Sequence, residues 1–288
     1  MKWFTALVLV IVTSSLPSSL AAQWPLHPLG VPKGADGKPN LAAPTPRTAD
    51  GKPDFSGVWM IYNGPEANVP PGRPPRVAGG NAGAGFKDGL PFRPWAADLQ
   101  KKRDAEGGLN DPDALCLPQG LLQYHTDPQP LKIVQMPRQI LIIYESNYGL
   151  RTIYMDGRAL PPLGGPQPFW HGYSVGRWEG DTLVVESNNF RGVEPNDFHG
   201  VEPDSFHGVG WLDHRGSPYT EAMKVTERFR RLNYEQLDIE FTVDDPKAYT
   251  RPFTVRVTQR IVPDGSELIE FICHENQLFL KLTGRAPR

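Results

Sequence analysis

Glu227 is the residue whose surroundings in this chain most invite chemistry. The segment Met223-Lys-Val-Thr-Glu-Arg-Phe-Arg230 alternates, so an extended backbone puts Met223, Val225, Glu227 and Phe229 on one face and Lys224, Thr226, Arg228 and Arg230 on the other. With the first face inward, a carboxylate stands among apolar side chains. It must then find a cation or hydrogen-bond donors, or stay protonated. The same alternation over Leu150-Arg-Thr-Ile-Tyr-Met155 groups Arg151 with Ile153 and Met155, which makes Arg151 its expected partner. Such pairs serve more often as structural ion pairs than as reaction centres. The chemical alternative is a polar floor in an apolar hollow that orients a ligand or moves a proton.

Histidines are the other groups suited to proton transfer near neutral pH. His125 stands in Tyr124-His125-Thr126-Asp127-Pro128, His171 follows Trp170 at a strand entrance, and His274 follows Cys273. Glu227, Arg151, His125 and His274 are therefore the candidate catalytic set. Tyr144, Tyr154, Trp170, Tyr173 and Trp178 are candidates to line a pocket for a flat or apolar ligand. Between 190 and 209 an eight-residue unit repeats, Phe190-Arg-Gly-Val-Glu-Pro-Asn-Asp197 and Phe198-His-Gly-Val-Glu-Pro-Asp-Ser205. It brings His199 and His207 among carboxylates, but eight apart with Pro203 between them, which is no standard metal-ligand spacing. A duplication that lengthens an exposed loop is the simpler account. The glycine-rich stretch 79–85 lacks a P-loop lysine, and no Gly-x-Ser-x-Gly elbow is present. No metal or other cofactor is expected.

The elements that would hold these residues are strands. Glu179-Gly180-Asp181 joins two extended runs, Tyr173–Trp178 and Thr182–Ser187. Further strands are expected at 55–62, 133–135, 140–145, 150–155, 222–230, 237–243, 253–261 and 267–273. One helix is expected, opened by Pro94 and ended by Gly107-Gly108. So many short strands must curl, close or split. The expected fold is all-β: an antiparallel up-and-down barrel of the lipocalin and calycin kind, with a long Pro/Gly-rich N-terminal arm and one short helix. A two-sheet sandwich is the alternative.

Residues 1–21 have the basic start, short apolar core and small residues of a secretory signal peptide, which is too short to span a membrane. The expected organisation is then an arm over 22–53 and a barrel domain over 54–288, with an irregular insertion at 63–115 and the repeat-bearing loop at 188–218. In an oxidising compartment Cys116 and Cys273 are expected to pair. Closing a loop of roughly 150 residues would restrict the unfolded chain by about 4–5 kcal/mol. Net charge is −2, from 30 basic and 32 acidic residues with no basic block, so nucleic acid is not an expected partner. Nor is an integral membrane segment expected once the signal is removed. A periplasmic or secreted protein is expected.

The segments DGKPDFSGVW at 50–59, CLPQG at 116–120, RTIYMDGR at 151–158, GYSVGRWEGDTLVVES at 172–187, VTERFRR at 225–231, DDPKAYTRPFTV at 244–255 and ICHEN at 272–276 resemble, in combination, a family of exported bacterial proteins. Gly57-Val58-Trp59 also resembles the Gly-x-Trp that opens many lipocalins. These resemblances imply a compartment and a fold, and no particular activity. The leading expectation is a barrel that takes a small apolar or aromatic molecule into its interior. A lyase, isomerase or hydrolase without a cofactor, using Glu227 or a histidine as acid or base, is the second. A structural envelope protein is the third.

Overall fold

The computed structural model describes residues 30–65, 71–193, 210–263 and 265–273. Nine strands close into a barrel in chain order: β1 (Gly57–Ile61), β2 (Leu131–Met136), β3 (Gln139–Tyr144), β4 (Leu150–Tyr154), β5 (Tyr173–Glu179), β6 (Thr182–Asn188), β7 (Lys224–Arg231), β8 (Gln236–Asp244) and β9 (Phe253–Ile261). β1 pairs with β9 and completes the ring, leaving neither edge that a sandwich would carry. All neighbours are antiparallel except β4 and β5, which run parallel with Ile153 opposite Ser174. The up-and-down expectation is corrected at this one step. Residues 155–172 carry four prolines and return along the barrel before β5 begins, where a hairpin would have reversed the chain at once.

Two other expectations are corrected. Residues 265–272 form no strand: the β9 edge they would have joined is taken by β1, and Ile269 and Ile272 lie exposed. The disulfide between Cys116 and Cys273 therefore fastens this segment, not a last strand, to the turn after Asp113–Leu115. The second correction is an additional helix. α1 (Pro94–Ala105) is the expected one, but α2 (Leu121–Thr126) is also present, and all six of its residues are buried.

α2 fits because its neighbours leave room. A Cβ on Gly120 would lie 1.8 Å from the Trp211 carbonyl oxygen, and one on Gly149 would lie 2.7 Å from the Tyr124 ring, so the chain can approach at both points only without a side chain. The Gln123 side chain accepts from the Gly120 backbone N–H at 3.1 Å and closes the first turn. Gln259 on β9 donates to the His125 carbonyl at 2.7 Å and ties the helix to the barrel wall.

Inward side chains form two apolar clusters. One contains Val225, Phe241, Val243, Val255 and Val257 together with Leu121 and Leu122. The other contains Ile142, Tyr144, Leu183, Val185, Phe229 and Ile239 together with Tyr124. Along β7, Glu227 falls between Val225 of the first and Phe229 of the second. Burying each such side chain contributes about 1.5–3 kcal/mol.

Candidate functional site

The polar centre of the barrel is built by alternation. On β7, Val225, Glu227 and Phe229 are all buried while Lys224 and Arg230 are exposed. On β4, Arg151 and Ile153 are buried and flank Thr152. Arg151 meets Glu227 with both arms: Nη1 donates to Oε1 at 3.0 Å, and Nη2 donates to Oε2. Ser174 on β5 and Ser187 on β6, opposite each other in register, complete the setting. Their hydroxyls accept from Arg151 Nε at 3.1 Å and Nη2 at 3.0 Å, and lie 2.8 Å from one another. Neither serine was among the sequence candidates, although both sit at inward positions of alternating strands, which was the available signal.

α2 adds the third charged or titratable partner. His125 Nε2 lies 3.1 Å from Glu227 Oε1, so one carboxylate oxygen serves both the guanidinium and the imidazole. The His125 ring also packs against Tyr144, Phe229 and Phe241, with centroids at 5.9, 6.1 and 6.4 Å. Burial alone would push the Glu227 carboxyl up. The Arg151 charge and the hydrogen bonds from His125 and Arg151 outweigh it and hold the pKa at about 2. Arg151 is correspondingly raised: burial lowers it, and Glu227 more than compensates. The pair is thus ionised at neutral pH, and Glu227 is a poor proton acceptor.

Four rings beside this pair end in polar atoms without a hydrogen-bond partner among the described residues: Tyr124 Oη, Tyr144 Oη, His125 Nδ1 and His171 Nε2. The rings touch one another. Tyr124 stacks on Tyr144 at 4.3 Å, and His171 meets Tyr124 at 5.0 Å and Tyr144 at 6.1 Å. The Tyr144 hydroxyl faces the Arg151 guanidinium and the Tyr124 hydroxyl faces the Gln119 backbone N–H, neither with the geometry of a well-formed hydrogen bond. Burial raises both tyrosine pKa values and lowers that of His171 to about 4, the last partly offset by its hydrogen bond to the Leu150 carbonyl.

Of the five aromatic candidates, only Tyr144 belongs to this centre. Tyr154 and Tyr173 stack at 5.2 Å on the outside of the wall, where Arg158 covers the Tyr154 ring at 3.8 Å. Tyr154 points out because it is an odd number of residues from the inward Arg151. Trp178 packs on Phe55 at 5.4 Å, and Trp170 lies under Arg191 at 5.3 Å. The five do not line one pocket. His274, His199 and His207 lie outside the described residues, among which no three histidine, cysteine or acidic side chains are grouped to hold a metal.

Among the described residues, two sizeable grooves open toward solvent. One, of about 430 Å³, runs between residues 160–163 and strands β6 to β8, past Glu186, Lys224 and Asp244. The other, of about 330 Å³, lies between the arm and the barrel, past Pro46, Lys132 and Tyr234. Neither is lined by Arg151, Glu227 or His125. No helix among the described residues is long and apolar enough to cross a membrane. Comparisons with models of known protein families, with curated proteins and with solved structures each find no match to this chain. The fold and the site therefore define a closed nine-stranded β-barrel with a buried Arg–Glu–His centre and a helix packed inside it.

Proposed function

We propose that this chain is an exported binding protein that holds a small, largely apolar or aromatic molecule within the barrel, against Tyr124, Tyr144, His125 and His171. The observation that carries the reading is that His125 Nδ1 and His171 Nε2 are buried without a hydrogen-bond partner among the described residues, beside Tyr124 and Tyr144 hydroxyls that make no well-formed hydrogen bond. Buried polar groups are almost always satisfied, and a native protein rarely leaves several neighbouring ones bare. The ion pair serves as scaffold: three of the four hydrogen bonds from its guanidinium go to Glu227 or Ser187 and the fourth goes to Ser174, so the rings are left to meet the ligand. Native mass spectrometry of protein purified from the periplasm of its own host tests this. A stoichiometric small molecule, released on unfolding and absent from His125→Phe protein, is the expected result. Protein of bare-chain mass that also fails to retain any aromatic probe would overturn it.

A second reading, acid–base catalysis, is favoured by one specific feature. Glu227 holds the Nε2 side of His125 and leaves Nδ1 turned away from the ion pair, the arrangement by which a carboxylate orients a general base. In that reading His125 moves the proton and Glu227 positions it. Glu227→Gln separates the two: retained binding with lost turnover supports catalysis, and unchanged turnover excludes it.

A further inference from the structure

The hydrogen-bonding sense of the two imidazoles restricts what can sit beside them. A neutral imidazole carries its hydrogen on one nitrogen and a lone pair on the other. Glu227 Oε1 is ionised and can only accept, so the His125 Nε2 at 3.1 Å must carry the hydrogen. In the singly protonated ring Nδ1 is then the lone pair, and it has no partner among the described residues. His171 is arranged the other way round. Its Nδ1 lies 3.3 Å from the Leu150 carbonyl, which can only accept, so Nδ1 carries the hydrogen and the buried Nε2 is the lone pair. Two imidazole acceptors are thus directed away from their protein partners, and both rings contact Tyr144. The Tyr124 and Tyr144 hydroxyls, kept protonated by burial, can each donate or accept.

We infer that the molecule held by these rings is a neutral hydroxyl compound on an apolar body, a phenol or an alcohol, whose O–H donates to an imidazole lone pair while its oxygen accepts from a tyrosine hydroxyl. This inference rests on the interior-binding reading above. A carboxylate fits poorly, because it can only accept: it would face the lone pairs unpaired and sit beside the ionised Glu227. An ammonium fits poorly too, because it would lose its hydration next to the Arg151 guanidinium. A hydroxyl is the neutral group that answers both kinds of partner at once, and an aromatic body suits the stacked Tyr124 and Tyr144 and the neighbouring Phe229 and Phe241.

The test uses the mature chain, labelled with 15N in histidine, and three probes of similar size: phenol, toluene and benzoate. Calorimetry gives the affinities, and long-range 15N–1H spectra report each tautomer and its perturbation. Phenol is expected to bind about tenfold or more tighter than toluene, the effect of one satisfied buried acceptor. It should also move the unprotonated nitrogen resonance of His125 or His171. His171→Phe should erase the preference for phenol and keep toluene binding. Should that variant fail to fold, the resonance shifts in the unaltered chain decide. Toluene or benzoate binding as tightly as phenol, with the same resonances moving, would overturn the hydroxyl inference and leave interior binding standing. A His125 protonated on both nitrogens would also overturn it. If no probe reaches either imidazole, both readings fail and the rings are solvated by water alone.

Discussion

Glu227 and Asp127 are two carboxylates withdrawn from water to a similar degree, 0% and 7% exposed, and they are driven in opposite directions. Glu227 is held at about 2, and Asp127 is pushed up to about 6. Burial acts on both with the same sign. At Asp127 it wins, since the His214 imidazole stands as far as 3.8 Å from Oδ1, Oδ2 has no partner among the described residues, and Asp113 adds repulsion. At Glu227 a two-armed guanidinium and an imidazole reverse it. Depth in the structure thus sets the size of the electrostatic stake, and the partner sets its sign.

The largest way to break this contrast is Arg151→Met. It strands an uncompensated carboxylate in the core, and thermal unfolding should show a loss of about 3–5 kcal/mol with Glu227 shifted toward the protonated form. Arg151→Met combined with Glu227→Leu should recover most of that loss, because an apolar pair of similar volume removes the stranded charge. A smaller effect is expected from Ser187→Ala, which leaves one guanidinium N–H short of its acceptor: about 1–3 kcal/mol, read from the denaturation midpoint. Asp127→Asn should be the mildest, below about 1 kcal/mol near pH 6, because the amide resembles the half-protonated acid it replaces.

A pH series sharpens the same comparison. The folded pKa of His171 is depressed from 6.5 to about 4, so the unfolded chain binds more protons in that window and stability falls as pH drops through it. Glu227 is depressed from 4.5 to about 2 and acts the same way over that lower window. Asp127 is raised from 3.8 to about 6, so it opposes the loss between those values. Urea midpoints measured from pH 7 to pH 3 should therefore decline, and should decline more steeply in Asp127→Asn, which lacks the opposing group. A variant profile shallower than that of the unaltered chain would contradict the assignment.

The strands and their facing were legible because alternation is a local property. It placed Arg151 and Glu227 inward from windows of six and eight residues without knowledge of the partner. The same rule, carried three residues past Arg151, puts Tyr154 outside, yet that tyrosine had been grouped with the ligand candidates on residue type alone. α2 was not legible: Leu-Leu-Gln-Tyr-His-Thr is buried on all sides, so it shows no polar face and no period of 3.6. With the helix went the placement of His125, which depends on Gln259 more than 130 residues away. The apolar run at 267–273 has the composition of a strand, but pairing is settled by which edge remains free, and β1 had taken it. The prolines of 155–172 announced a long connection, and not that it would turn the next strand parallel.

The central claim is that the two imidazole nitrogens and two tyrosine hydroxyls beside the Arg151–Glu227 pair receive a molecule. A crystal structure of the protein purified from its own host tests it most directly. The account requires density for a non-protein group within hydrogen-bond reach of His125 Nδ1 or His171 Nε2 and of a tyrosine hydroxyl. Side chains of the protein itself pairing all four atoms, or single water molecules and nothing larger, would contradict it.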